Sequence, residues 1–390
     1  MIHIGLSWQL SSFTGWGQFG IQATTRMITS GRVVPVLLCD GNAESEIVVD
    51  PLQQALLLPV MQASERYRRE LSEMGDGLLD FDVLVALGDD LGIAAPYVRR
   101  GRQEVGIVFL EGSSLSPGGV ERGRQYRRLI AGSSWAAEVL RGHGLDHVAT
   151  VLQGIDPRLF RPSSRIGLLP GRFTIFSGGK LEYRKGQDIV VAAFRKFRER
   201  RPDALLAVAW QNLWPATAAG VADAGHVTAP GIDGKGRVDV GRWLVDNGVP
   251  ENAFVALEMK PNALLAPVMA EVDAAVFASR CEGGTNLMAM EAMAAGVPTI
   301  LSANTGHLDL IAADTCFPLQ HQRPVAAKSS LGTEGWGESD VDEMVAAFER
   351  IYSDREEARR RGKLGAALLA PMTWPAQIDR LLAEVGVEAA

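Results

Sequence analysis

Residues 279–300, SRCEGGTNLMAMEAMAAGVPTI, connect two strand-like runs through a turn and a helix. The run AAVFAS ends at residue 279, Gly283 and Gly284 permit a tight turn, NLMAMEAMAAG favours a helix, and PTIL follows. Strand, helix and strand at this spacing predict parallel strands connected by a right-handed crossover. Backbone N–H groups from about Thr285 onward lack partners at the helix start, which favours phosphate binding there.

The same alternation extends over the whole chain. Strand-like runs include IHIGLSW, VVPVLL, DVLVALG, VGIVFL and RLIAGSS in the first half and FTIFSGG, ALLAVAWQ and FVALEM in the second. Residues 151–172 are rich in Pro, Gly and Arg and predict a linker. This break and the length of 390 residues favour two Rossmann-like domains over one large sheet. Residues 215–250 predict loops, and the C-terminal region predicts helix, turn and helix.

Composition excludes several classes of protein. The net charge of -7 provides no overall basic field for nucleic acid. Three separated cysteines, Cys39, Cys281 and Cys316, predict neither a disulfide framework nor a zinc site, and the six histidines show no metal spacing. No signal peptide and no membrane-spanning run of about 18 apolar residues is recognisable. We therefore expect a cytoplasmic protein without a metal site.

A second candidate motif is FSGGKLEYRKGQD, residues 176–188, which also follows a strand-like run. Lys180 and Lys185 flank a short turn, with Arg184 beside them. Two cations that reach one point can neutralise a diphosphate and stabilise it as a leaving group, without a metal. The alternative is a solvated basic turn, which is what most such clusters are.

Two carboxylates accompany the glycine turn at 283–284. Glu291 lies about one and a half turns into the predicted helix, where it could accept bonds from the vicinal hydroxyls of a ribose. Glu282 precedes the glycines and could accept bonds from sugar hydroxyls. A solvated loop acid is the alternative for Glu282, but the adjoining Gly-Gly and helix start favour a binding role.

Together these motifs resemble glycosyltransferase family 4 (group 1), the retaining glycosyltransferases of the GT-B fold. SGGKLEYRKGQDIVVAAF resembles the family's GRL…KG…L..AF segment, and EGGTNLMAMEAMAAGVPTI resembles its E-x₇-E segment followed by EAMA.G.PV. VLQGIDPRLFRP resembles the domain linker, and IAGSSWAAEVLRGHG resembles the last strand and helix of the first domain. The resemblance covers about residues 1–320, in order.

The resemblance implies an α/β fold in which two Rossmann-like domains with parallel sheets face each other across a cleft. Residues 1–160 would bind the acceptor, residues 170–365 would bind the nucleotide-sugar donor, and residues 366–390 would form a helix that crosses back onto the first domain. It also implies transfer of a sugar, with retention, from a UDP or GDP type of donor and without a cofactor. The acceptor would be a carbohydrate, a lipid-linked molecule or a protein.

The resemblance and the residues together give the following site. Donor-binding residues would be Gly17, Lys180, Lys185, Gly283, Gly284, Thr285, Asn286, Leu287 and Glu291, and catalytic residues would be Glu282, Glu111 and Lys185.

This chain departs from the family pattern at three places. Lys180 stands where the family usually has Arg, which keeps the charge but loses the bidentate fork. Eight residues rather than seven separate Glu282 from Glu291, so either the loop bulges or Gly283 takes the first Glu's place. GIVFLEGSS offers Glu111 where the family often has a sugar-contacting His, and an exposed loop acid is the alternative there.

The stretch GWGQFG, residues 15–20, raises a different hypothesis. Gly15, Gly17 and Gly20 match G-x-G-x-x-G, and Asp40 follows 20 residues beyond Gly20, as in an NAD(P)-dependent oxidoreductase. However, six residues separate Trp8 from Gly15, which is too long for the first glycine of a dinucleotide site. We expect instead a flexible loop with Gly15 and Gly17 at the cleft, and a strand-end turn acid at Asp40.

Two further alternatives remain open. One is a sugar-nucleotide-binding protein of the same fold without catalytic activity, because fold alone does not fix function. The other concerns the arginine clusters of the first domain, which are either solvated or contact an acidic acceptor or a membrane surface: Arg66, Arg68, Arg69, Arg122, Arg124, Arg127 and Arg128.

Overall fold

The first half of the chain forms a parallel sheet. The computed structural model describes residues 1–39, 44–73, 77–95, 97, 100–326 and 332–387. Within these residues the strands are β1 (Ile2–Leu6), β2 (Val33–Leu37), β3 (Asp82–Leu87), β4 (Glu104–Val108), β5 (Arg128–Ala131) and β6 (Val148–Thr150). Their order is β2-β1-β3-β4-β5-β6, and each neighbouring pair is parallel. The helices are α1 (Gly15–Thr29), α2 (Pro51–Glu73), α3 (Pro117–Arg124) and α4 (Ser134–Gly142).

The second half forms another parallel sheet in the order β12-β11-β10-β7-β8-β9. Its strands are β7 (Phe173–Lys180), β8 (Ala204–Gln211), β9 (Phe254–Ala256), β10 (Ala274–Phe277), β11 (Thr299–Ser302) and β12 (Phe317–Leu319). The intervening helices are α5 (Gln187–Arg200), α6 (Val240–Asp246), α7 (Ala266–Glu271) and α8 (Leu287–Ala294). Apolar clusters cover both faces of each sheet, which explains why the strands read as nearly continuous apolar runs.

The C-terminal region contains a hairpin and a helical return. Strands β13 (Gln322–Pro324) and β14 (Gly337–Ser339) pair antiparallel, and α9 (Val341–Ser353), α10 (Arg355–Leu369) and α11 (Trp374–Glu384) follow. Helix α11 packs on α1 of the first sheet, where Trp374 lies against Phe19 with 5.9 Å between ring centroids and Asp379 pairs with Arg26 at 2.7 Å. The predicted helix that crosses back is therefore confirmed.

Three local predictions were wrong or incomplete. Residues 215–250 contain a 3₁₀ segment (Pro215–Ala222) and helix α6, whose apolar Trp243 and Leu244 are buried in the core, so the region is not all loop. The C-terminal region has three helices rather than two, because Asp354 ends α9 and caps α10. The short edge strands β6 and β12 were not predicted. Among the described residues, no helix is both long and apolar enough to span a bilayer.

Candidate active site

A cleft opens between the carboxyl ends of the two sheets. Its volume is about 460 Å³, within the range of small-molecule sites. Open parallel sheets bind their ligands at this edge, because the loops after the strands and the starts of the helices converge there. The lining residues with charged, hydroxyl or amide side chains are Ser12, Thr14, Gln18, Glu111, Gln153, Lys180, Arg184, Lys185, Gln211, Glu258, Lys260, Asn262, Glu282 and Asn286.

Lys180 is the last residue of β7 and lines the cleft, as predicted from its position after a strand. Its Nζ lies 2.7 Å from an Oε of Glu182 and 5.1 Å from the ring centroid of Trp214. Trp214 is 60% exposed, so it is not the packing residue that a tryptophan in a short loop usually is. The ammonium group therefore stands between a carboxylate and an exposed aromatic ring.

Lys185 and Glu282 form a pair on the floor of the cleft. The Lys185 Nζ lies 2.7 Å and 2.9 Å from the two carboxylate oxygens of Glu282, which is only 3% exposed. Asn286 and Ser279 also donate hydrogen bonds to this carboxylate. Burial raises the pKa of Glu282, but Lys185 and Arg184 outweigh it and lower the pKa to about 2. Glu282 thus holds Lys185 in place rather than presenting a free carboxylate.

Arg184 connects the two halves of the molecule and was not among the predicted site residues. Its buried guanidinium lies 2.6 Å from Glu111 of the first half and 2.6 Å from Glu182, and 3.3 Å from Glu282. Burial lowers the pKa of Arg184, but the three carboxylates raise it by more. The sequence feature that could have identified Arg184 is its position between Lys180 and Lys185, directly before Lys185.

The charges of the cleft floor balance. Three cations face three carboxylates, since Lys180, Arg184 and Lys185 contact Glu111, Glu182 and Glu282. A diphosphate that contacts the two lysines must therefore replace carboxylate partners, rather than meet free ammonium groups. Glu111 keeps 39% of its side chain exposed, on the first-domain side of the cleft.

Helix α8 begins at Leu287, two residues later than the predicted start at Thr285. Asn286 is its N-cap, with φ of 62° and a side chain that accepts from the Ala289 amide at 3.3 Å. This residue with positive φ lies within the segment that separates Glu282 from Glu291. The first-turn amides of Leu287 and Met288 border the cleft, where no earlier helical carbonyl can reach them.

Thr285 does not line the cleft, contrary to its predicted donor contact. It is fully buried, and its hydroxyl contacts the Met290 sulfur at 2.9 Å. The reason is the later helix start, because the loop turns Thr285 into the protein before Asn286 redirects the chain.

Gly283 and Gly284 lie where the two halves approach each other. A Cβ on Gly283 would lie 2.6 Å from the Leu110 carbonyl oxygen, and one on Gly284 would lie 2.8 Å from the Phe109 ring. The Gly283 carbonyl also accepts a hydrogen bond from Ser133 at 2.8 Å. Both glycines line the cleft as predicted, but close packing between the sheets already requires them.

Glu291 is buried behind the cleft wall. One carboxylate oxygen accepts from the Asn262 side chain at 2.6 Å, and the other has no hydrogen-bond partner among the described residues. Burial raises the pKa of Glu291 to about 8, against the hydrogen bond from Asn262. Asn262 lines the cleft, and its backbone N–H donates to the Ser12 carbonyl of the first half at 2.8 Å. A ribose can reach Glu291 only if the Asn262 side chain moves.

The glycines at 15–20 belong to helix α1 and not to a flexible loop. Gly15 lines the cleft, but Gly17 does not. The Cα of Gly17 faces the preceding loop, where a Cβ would lie 2.6 Å from the Ser11 amide nitrogen. A Cβ on Gly20 would lie 2.7 Å from Trp8 Nε1. The pattern thus serves packing of α1 on residues 8–11, which corrects the predicted donor contact of Gly17. Asp40 lies outside the described residues.

Among the described residues, no group of three or more His, Cys, Asp or Glu side chains is arranged to hold a metal ion.

Comparisons with known proteins agree with this architecture. Residues 163–316 match the model of "Glycosyl transferases group 1", and residues 258–381 match that of "Family 4 Glycosyltransferase in conflict systems". A D-inositol 3-phosphate glycosyltransferase of Paenarthrobacter aurescens (strain TC1) is 25% identical over 287 residues, which cover 69% of this chain and 60% of that protein. The chain therefore spans less than two thirds of that relative.

Solved structures show the same fold over nearly the whole chain. HepE of Anabaena, in complex with UDP and glucose, superposes with a TM-score of 0.64 at 14% identity, covering 99% of both chains. Sucrose-phosphate synthase of Thermosynechococcus elongatus superposes with a TM-score of 0.67 at 16% identity, covering 99% of this chain and 98% of that one. At these identities the likeness establishes the fold.

Proposed function

We propose that this chain, which belongs to the group 1 glycosyltransferases and has the GT-B fold, moves a sugar from a nucleotide-diphosphate-sugar to a hydroxyl acceptor. We propose further that the transfer retains the anomeric configuration and needs no metal ion. The retention rests on the family resemblance.

The charged floor of the cleft is the observation that carries this proposal. Lys180 and Lys185 stand at the carboxyl end of one sheet, beside the first-turn amides of α8. Glycosyl transfer leaves negative charge on the departing diphosphate, and fixed cations and helix amides stabilise that charge as it develops. This arrangement supplies the electrostatic role that a metal ion would otherwise have.

The acidic residues at the cleft have different roles in this proposal. The donor diphosphate displaces Glu182 from Lys180 and shares Lys185 with Glu282, which holds that ammonium group in position. Glu111 lies across the cleft on the first-domain side, where its carboxylate can stabilise the oxocarbenium-like state of the transferred sugar. The ribose binds Glu291 after Asn262 moves aside.

The relatives suggest which substrates to test first. HepE binds UDP and glucose, which supports a UDP-sugar as the first donor, with GDP-sugars as the second class. The name of the curated relative supports a phosphorylated polyol among the acceptors, beside other carbohydrate, lipid-linked and protein acceptors.

The test is calorimetric titration with UDP, GDP, ADP, their sugars and NAD(P), followed by transfer assays with the donor that binds. We expect binding of one nucleotide class, slow donor hydrolysis and transfer that persists in EDTA, with the product anomer read by NMR. Absence of binding to every nucleotide would refute the proposal. Binding without hydrolysis or transfer to any acceptor would favour the non-catalytic alternative, and binding of NAD(P) alone would favour the oxidoreductase.

A further inference from the structure

A second cavity lies apart from the cleft, at the other end of α8. Its volume is about 580 Å³, and among the described residues it shares no lining residue with the cleft. The linker, α7, α10 and the segment after α8 form its walls. The lining residues are Pro162, Ser163, Arg165, Met269, Ala270, Val272, Asp273, Ala295, Gly296, Val297, Pro298, Arg355, Ala358, Arg359 and Lys363.

The cavity carries an excess of positive charge. Four of its side chains are cationic, namely Arg165, Arg355, Arg359 and Lys363, and Asp273 is its one carboxylate among the described residues. Asp273 is fully engaged, because one oxygen lies 3.0 Å from Arg165 and 3.1 Å from Arg355 and the other accepts from the Thr174 amide at 2.8 Å. The chain as a whole has a net charge of -7, so the excess of positive charge at this cavity is local.

The side chains of Arg359 and Lys363 have no ion-pair or hydrogen-bond partner among the described residues, and both residues are exposed. They follow Arg355 at intervals of four, so the three cations share one face of α10 and repel one another. The neighbouring cations of the same helix are paired instead: Arg360 contacts Glu357 and Asp314, and Arg361 contacts the same two carboxylates. On the face toward the cavity, Arg355 pairs with Asp273, whereas the Arg359 and Lys363 side chains have no carboxylate partner among the described residues.

We propose that this cavity binds a phosphate-bearing small molecule of the size of a sugar phosphate. The Arg359 guanidinium and the Lys363 ammonium hold the phosphate, since an arginine fork and a lysine are both strong phosphate donors. The remaining volume, which exceeds that of a phosphate group alone, accepts the sugar beside Ser163 and the linker. The bound molecule thereby joins the linker between the two halves to α10.

Helix α8 connects the second cavity to the cleft. Its first residues, Leu287 and Met288, line the cleft, and Ala295 and Gly296, just past its last turn, line the second cavity. Eight helical residues span about 12 Å. An occupant of the cavity therefore contacts the end of the same helix that begins at the proposed donor site.

The test is calorimetric titration of the full chain with glucose 6-phosphate, inorganic phosphate and glucose, in the presence of saturating UDP. The test variant is Arg359→Gln/Lys363→Gln. The matched control is Lys196→Gln/Arg200→Gln, which removes one lysine and one arginine four residues apart on an exposed face of α5. All four residues are on the surface, and circular dichroism verifies that both variants fold.

We expect glucose 6-phosphate to bind the wild type and the control alike, and to bind the test variant at least about tenfold more weakly, the order of one lost charge-assisted hydrogen bond. Glucose should not bind, and UDP affinity should be the same in all three proteins. No binding to the wild type at millimolar concentration, equal weakening in both variants, or unchanged binding in the test variant would each overturn the proposal. Because UDP binding is measured separately, failure here is distinguishable from failure of the proposed function.

Discussion

The buried carboxyl of Glu291 gives the sharpest quantitative prediction. A glutamate in the unfolded chain titrates near pH 4.5, and burial raises the pKa of Glu291 to about 8 in the folded protein. Between these values the folded state keeps a proton that the unfolded state has released, so the free energy of unfolding falls as the pH rises. The decrease is about 1.4 kcal/mol per pH unit, or about 3 kcal/mol between pH 5 and pH 7. The contribution is fully present below pH 4.5 and is lost as the pH passes 8.

The perturbation is Glu291→Gln, which keeps an oxygen acceptor for Asn262 and removes the titration. Denaturant unfolding at several pH values should show the variant gaining about 3 kcal/mol relative to the wild type from pH 5 to pH 7. Glu199→Gln, the same change at an exposed position of α5, is the control and should show no such trend. A constant difference between Glu291→Gln and the wild type over this range would mean that Glu291 is already ionised when folded, and the argument from burial would be wrong.

The proton on the Glu291 carboxyl can also be followed when a nucleotide binds. A ribose diol donates hydrogen bonds best to an ionised carboxylate, so nucleotide binding below pH 8 should release a proton if the ribose reaches Glu291. Calorimetry in two buffers of different ionisation enthalpy measures this release. Proton release that persists in Glu291→Gln would place its source elsewhere.

Three further predictions concern the cleft and α1. Lys185→Met should lower the free energy of unfolding by about 1.5–3 kcal/mol, because buried Glu282 loses its nearest cation and keeps Arg184 at 3.3 Å. Adding Glu282→Gln should restore stability in denaturant titrations but not transfer. Gly17→Ala should destabilise the protein by about 1–3 kcal/mol and reduce nucleotide binding and transfer together. Gly15→Ala should be tolerated, because a Cβ there lies 3.8 Å from the nearest atom. Equal stability of the two variants would contradict the packing argument. Glu111→Gln should lower kcat about 100-fold with little change in UDP affinity, and parallel losses in both would assign Glu111 to donor binding instead.

Much of the fold follows from local sequence pattern. The apolar runs that become β1 to β5 and β7 to β11 were all predicted, because a strand buried on both faces must be apolar along its length. The edge strands β6 and β12 are three residues each and carry too little pattern to predict. Helix α6 was missed because its seven residues lie within a Gly-rich and Asp-rich stretch.

The candidate site was predicted in part for the same reason. Residues directly after parallel strands converge at one edge, so Lys180, Lys185, Glu111 and Glu282 were all predicted at the cleft and all line it. The ion-pair partners of these residues could not be predicted from the sequence. Arg184 reaches Glu111 across 73 positions of sequence, and that contact depends on how the two halves approach each other.

The sequence by itself determined most element types, the parallel connections and four of the charged residues at the cleft, Lys180, Lys185, Glu111 and Glu282, because these depend on periodicity and on position relative to a strand end. Only the tertiary structure decided which charges neutralise one another, that Thr285 is buried, that Asn262 separates Glu291 from the cleft, and that Gly17 serves packing. It also decided that the cations of α10 gather at a second cavity. These outcomes depend on side-chain direction and on contacts between distant residues, neither of which is encoded in a local pattern.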